Sequence, residues 1–187
     1  MIGLIFSFDY EIYGTGRGDF KKLMLEPTNE LLDLFDEYGA RLTIMAEVAE
    51  ILALRRQPEF QQLADAIDDQ LRDALRRGHD VQLHLHPAWF NARYNGGGWC
   101  LDFSEYCLGA LSRPKIAEYI NRGKDYLEGL ARPVRPGYRC VAFRAGNWLI
   151  QPAEGVIAAL ESAGFLYDSS VFKMGWGRVG RFVLDYR

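Results

Sequence analysis

The sequence predicts an α/β fold, a distorted or incomplete (β/α) barrel of about six to seven parallel strands in one domain spanning residues 1–187. Three observations predict it. Apolar runs of strand length alternate with helical patterns for most of the chain, which argues a parallel sheet with helical crossovers. The strand-like runs number about six, too few for a complete eight-stranded barrel. The polar residues with chemical potential fall at the carboxyl ends of those runs, the rim on which parallel α/β folds carry their sites. A doubly wound open sheet is the second choice.

The elements follow in order. Residues 2–7 are a short apolar run of the kind buried on both faces of a sheet. Residues 14–19 are a loop whose glycines match neither phosphate-binding fingerprint in order or spacing. Pro27 opens a helix and Gly39 ends it, with Leu31, Leu34, Phe35 and Tyr38 as the apolar stripe. Residues 41–45 read as a second strand, and residues 47–56 as a helix. Pro58 starts another helix that runs to Arg77, with Phe60, Leu63, Ile67, Leu71 and Leu75 at helical spacing and Gly78 as its cap. A third strand follows at once and ends in His84-Leu85-His86-Pro87.

Residues 87–112 are long for a loop and include Gly96-Gly97-Gly98-Trp99; loops of that length are usually functional. Pro114 begins a helix to Leu130. Residues 138–143 form a fourth strand ending at Arg144, residues 152–162 a helix, and residues 165–167 a short strand ending at Asp168. Residues 181–186 are a last strand-like run.

Bulk composition narrows the function. The chain is 49% hydrophobic and 25% charged with a formal net charge of -3, so no basic stripe suggests nucleic acid. No apolar run approaches the ~20 residues of a membrane span, and the N-terminus enters a strand pattern without a basic leader, so a cytoplasmic protein is expected. Cys100, Cys107 and Cys140 are odd in number and lack zinc spacing, which fits free thiols in a reducing compartment.

The chain has three histidines, all between Gly78 and Pro87. His84 and His86 are two apart on a strand, so they share a face, while His79 faces away. Asp9 and Glu11 have the same spacing after the first strand. Two imidazoles and a carboxylate are the ligand set of a hydrolytic metal site with open positions, for which zinc is the expected metal. The residues alone do not separate Asp9 from Glu11 as proton acceptor and ligand. Arg144 is placed to orient Asp9 by a charge-assisted hydrogen bond. Asp168 either holds Arg144 or a histidine from behind, or caps its own turn. Trp89, Trp99 and Trp148 are candidates for the floor of a sugar subsite.

Together these stretches resemble the polysaccharide deacetylase family. Ser7-Phe8-Asp9-Tyr10-Glu11 is similar to its first motif, residues 78–87 to its histidine motif, Phe143-Arg144-Ala145-Gly146-Asn147-Trp148 to its arginine motif, and Tyr167-Asp168-Ser169-Ser170 to the aspartate motif that follows. The variant spellings look most like the branch tied to O-antigen and lipopolysaccharide biosynthesis. The resemblance implies a distorted, incomplete barrel and a divalent-metal deacetylase acting on an N-acylated sugar or glycan precursor. It implies Asp9 as general base, His84 as ligand, and Glu11 as the ligand beside it.

Three departures stand out. Tyr10 replaces the family's usual second aspartate, and Ala88 stands where its second histidine usually lies, which leaves His86 as the substitute. No histidine follows His86, so either the chain is incomplete at its C-terminus or another residue is the acid. Two further readings are a carbohydrate-binding protein with a decayed site and a metal-dependent amidase acting on a non-sugar N-acyl group.

Overall fold

A computed structural model describes residues 3–12 and 16–187. The expectations for Ile2, Gly14 and Thr15 lie outside the described residues. In chain order the elements are β1 (Phe6–Tyr10), α1 (Glu26–Glu37), β2 (Leu42–Glu47), α2 (Val48–Arg55), α3 (Gln61–Arg76) and β3 (Asp80–Leu85). They continue with β4 (Arg93–Tyr94), β5 (Trp99–Cys100), α4 (Arg113–Ala131), β6 (Ala142–Ala145), α5 (Glu154–Ser162), β7 (Tyr167–Asp168), β8 (Trp176–Val179) and β9 (Phe182–Asp185).

The mixed α/β class holds. The sheet has five parallel strands in the order β1-β2-β3-β6-β7, fewer than the six to seven expected. The last strand-like run becomes β9, which pairs antiparallel with β8 across a turn at Gly180 (φ 58°). A turn this short joins only antiparallel neighbours, since a parallel pair needs a crossover. The strand order follows the chain without reversal, so the sheet lacks the switch point of a doubly wound fold.

Two boundaries move. The first strand lies at Phe6–Tyr10 rather than 2–7, because its ladder with β2 runs from Phe6↔Leu42 to Tyr10↔Ala46. It is an edge among the described residues, and Ile5 just before it is 90% exposed, so burial on both faces fails there. The first helix begins before Pro27. Asp19 accepts the amides of Lys21 and Lys22, and a π-helical turn at Lys21–Leu25 leads into α1. That wider turn accommodates a proline that offers no amide proton and crowds the preceding turn.

Register divides the sheet into two chemically different faces. Phe8, Ile44, Val81 and then Tyr10, Ala46, Leu83, Phe143 are neighbours on one face. That face is the apolar core, closed by helices such as α3, which buries Ala64, Ile67, Leu71 and Ala74. The other face carries Ser7, Asp9, Thr43, Met45, Glu47, Gln82, His84 and Arg144. A parallel sheet with a polar face must satisfy that face internally, and this requirement shapes the site. No helix among the described residues is long and apolar enough to cross a membrane, and all three cysteines are free.

The fit between α4 and the apolar face is tight at Gly123. A Cβ there would lie 2.6 Å from Leu83 Cδ1, whose side chain is fully buried. Alanine gains ~1 kcal/mol of helix propensity over glycine. Gly123→Ala should nonetheless lose a net ~1–3 kcal/mol, because overpacking forces Leu83 from its position. Urea denaturation measures it, and a more stable variant would show that the contact yields freely.

Candidate metal centre

Parallel register builds the site. Glu47 aligns with His84 and His84 with Arg144. On β1 Asp9 aligns with Met45, so Glu11, two residues on, continues the row beside Glu47. His86, two residues past His84, rises from the same face as β3 gives way to the single turn Pro87–Trp89. Glu11, Glu47, His84 and His86 therefore converge at the carboxyl end of the sheet. One ligand atom from each lies within 4.8 Å of the others. Glu47 and His84 are buried, while Glu11 and His86 keep some exposure toward solvent.

The hydrogen bonds fix the donor atoms. His84 Nδ1 is 2.9 Å from the Arg144 carbonyl oxygen, which can only accept, so Nδ1 carries the proton. In the neutral ring this leaves His84 Nε2 as the lone-pair nitrogen. It is buried without a hydrogen-bond partner and faces Glu11 Oε2 at 3.5 Å. An unprotonated Nε2 facing a carboxylate in a buried site is repulsive unless a cation, a proton or a metal ion, lies between them. His86 Nδ1 is 2.9 Å from Glu11 Oε2 and 2.8 Å from Glu47 Oε2. Glu47 Oε2 also accepts the His86 amide at 2.5 Å, and Oε1 accepts the Ala49 amide at the start of α2. The bare Nε2, its carbonyl-bound Nδ1 and the mixed nitrogen and oxygen donors fit a divalent metal ion.

Charge agrees with this fit. Burial opposes ionisation of Glu11, yet the flanking imidazoles hold its carboxyl down at about 2. Burial likewise disfavours a charged His86, but its bonds to Glu11 and Glu47 push it up to about 10. Without a metal, the cluster holds a proton on His86 as its cation. Glu50, in the first turn of α2, is raised well above the usual carboxylate range by burial and then by the Glu47 charge.

The ring of His86 lies flat against Gly146, where a Cβ would come within 2.3 Å of its Cδ2. The turn that provides this glycine is strained, since Asn147 and Trp148 both have positive φ, at 53° and 55°. Such conformations cost ~1–3 kcal/mol each and cluster at functional sites.

The structure brings Glu11, His84 and His86 together as expected and adds Glu47. Asp9 sits one row below them and accepts from Arg144 Nη1, while Arg144 Nη2 bonds Ser7 Oγ at 2.8 Å and Nε bonds Ser169 Oγ at 3.0 Å. Arg144 thus spans the polar face from β6 to β1. Of the two roles expected for Asp168, its contacts are those of the turn cap. It aligns with Phe143 on the opposite face and bonds Ser170, so Ser169 is the residue that reaches Arg144.

The aromatic residues need a correction. Trp89 and Trp99 are buried and pack edge to face on each other, and Trp99 also packs on Phe60 and Tyr94. The Gly16 backbone lies close against both rings, where a Cβ would come within 2.5 Å of Trp89 and 2.8 Å of Trp99, so neither presents an open face to a sugar. Trp148 stays 44% exposed beside Phe172. His79 is a non-ligand as read, and its Nδ1 accepts the Leu42 amide. Glu47 was missed because it reads as the first residue of a helix. Its signal was its place after Leu42-Thr43-Ile44-Met45-Ala46, a carboxylate ending a strand as Glu11 does.

Comparison of the chain with protein-family models, with curated proteins and with solved structures finds no match.

Metal binding must displace the His86 proton. Zinc titrated into metal-free protein at pH 8 should release about one proton per ion, and its affinity should rise about tenfold per pH unit below pH 10. Calorimetry in two buffers of different ionisation enthalpy measures the release. His84→Ala should abolish retention, and Gly146→Ala should weaken it about tenfold or more by displacing the His86 ring. Binding without proton release would place the ion away from His86.

Proposed function

We propose that this chain is a divalent-metal-dependent hydrolase, with zinc as its metal, that removes an N-acyl group, acetyl first, from a sugar of a surface-polysaccharide precursor. The observation that carries the reading is the bare, buried Nε2 of His84 turned into a cluster of two carboxylates and a second imidazole. The ordered motifs that resemble polysaccharide deacetylases support the substrate class. The five-stranded sheet would then be the wall of that family's incomplete barrel.

Glu11, His84 and His86 would hold the ion, with Glu47, whose Oε2 meets the same His86 nitrogen as Glu11, completing the set. A divalent ion held there supplies Lewis acidity, which lowers the pKa of water and polarises an acyl carbonyl. The protein supplies proton handling. Asp9 Oδ1 is tied to Arg144, and Oδ2 has no hydrogen bond among the described residues, so it is the oxygen free to take a proton from water. Water oxygen bonds to the acyl carbon, the carbon–nitrogen bond breaks, and the proton on Asp9 passes to the leaving nitrogen. This route uses one carboxylate for both transfers. Trp148, two residues after the glycine under His86, stays exposed with Phe172 beside it and would offer an aromatic surface to a sugar ring.

Burial of Trp89 and Trp99 removes two expected sugar platforms, and this favours a second reading, an amidase acting on a non-sugar N-acyl compound. A panel of N-acyl sugars and N-acyl amines separates the two by which members release acid. A chelator should stop the release. Asp9→Asn should retain metal and fold while losing ~10²–10⁴-fold in rate. No release at full metal occupancy would leave a carbohydrate-binding protein as the account.

A further inference from the structure

We propose that the first turn of α2 organises the metal centre from both sides, with Glu50 as a positioning residue that holds Glu11 in place by accepting the Ile12 amide. This inference rests on the metal-centre reading. Glu47 and Glu50 are three residues apart, so they share one face of α2. Glu47 caps the helix through the Ala49 amide and takes the His86 amide, which fixes the chain leaving β3. Glu50 Oε2 accepts the Ile12 amide at 3.1 Å, which fixes the chain leaving β1. One helical turn therefore grips the two segments that carry Glu11 and His86.

The need for such a grip is visible in the ladder. The last β1–β2 pair is Tyr10↔Ala46, so Glu11 projects beyond the sheet's regular pairing. Among the described residues, the Ile12–Glu50 bond ties down the chain just past it. Glu50 is 1% exposed, and its Oε1 has no hydrogen-bond partner among the described residues. An unsatisfied buried carboxylate oxygen is a cost that a residue serving packing alone would not incur. The amino end of α2 offsets part of it, since acidic side chains are favoured there.

Two variants test the role. Glu50→Gln keeps an acceptor for Ile12, whereas Glu50→Met keeps the volume and removes the acceptor. Zinc affinity is read by competition with a chromophoric chelator, and hydrogen exchange of the Ile12 amide is read in the metal-free protein. Glu50→Gln should bind zinc within about threefold of the parent, and Glu50→Met about tenfold or more weakly, the range typical of residues that orient ligands. The Ile12 amide should be protected in the parent and in Glu50→Gln and exchange freely in Glu50→Met.

Parent-like affinity in Glu50→Met would overturn the proposal. Equal losses in both variants would also overturn it, by showing that Glu50 acts through its charge. Should Glu50→Met not fold, the glutamine variant decides, and a tenfold loss there overturns the proposal. Failure of the metal reading is distinct: the parent itself would take up no zinc, and the positioning role would fall with it while Ile12 protection remained.

Discussion

The bare Nε2 of His84, held inward by the bond from Nδ1 to the Arg144 carbonyl, is the constraint on which the rest of the site depends. A buried acceptor opposite a carboxylate is unstable by itself, and everything around it acts to keep it there. Parallel register aligns Glu47, His84 and Arg144 in one row, so the strand that supplies the carbonyl also supplies the guanidinium. Arg144 spends its backbone on a ligand and its side chain on Asp9, Ser7 and Ser169. The candidate metal centre and Asp9 are thereby coupled through one residue.

The polar face has to be satisfied from within the sheet. Charges away from water must be paired or bound to a cation. Here Arg144 balances Asp9, while Glu11 and Glu47 both meet the Nδ1 of His86. The sheet's other face is filled by apolar side chains packed on α3 and α4, to the point that Gly123 leaves no room for a methyl beside Leu83. The apolar face holds the strands in register, and that register places the ligands.

Much of the site was legible in the sequence because period-two spacing is a direct readout of a strand face. It identified Glu11 beside Asp9 and His84 beside His86, and the carboxyl-end rule placed Arg144 with them. What was not legible depended on alignment between strands. Asp168 and Ser169 are adjacent in the chain, and only the pairing of Phe143 with Asp168 reveals that Ser169 shares a face with Arg144. Glu47 ends a strand and caps a helix at once, and local propensity reads only the helix. The tryptophans fell in a glycine-rich segment that looked like an open loop. Its turn at Gly96 instead closes a short hairpin, and contacts from Gly16, Phe60 and Tyr94, distant or unreadable by local pattern, bury the rings.

X-ray absorption at the zinc edge of the reconstituted protein tests the central claim most directly, because it reports the atoms bound to the ion. The account predicts one site with two imidazole scatterers and oxygen neighbours at ~2.0–2.2 Å, and the loss of one imidazole in His84→Ala. A first shell of oxygen alone, or one containing sulfur from a cysteine, would contradict it.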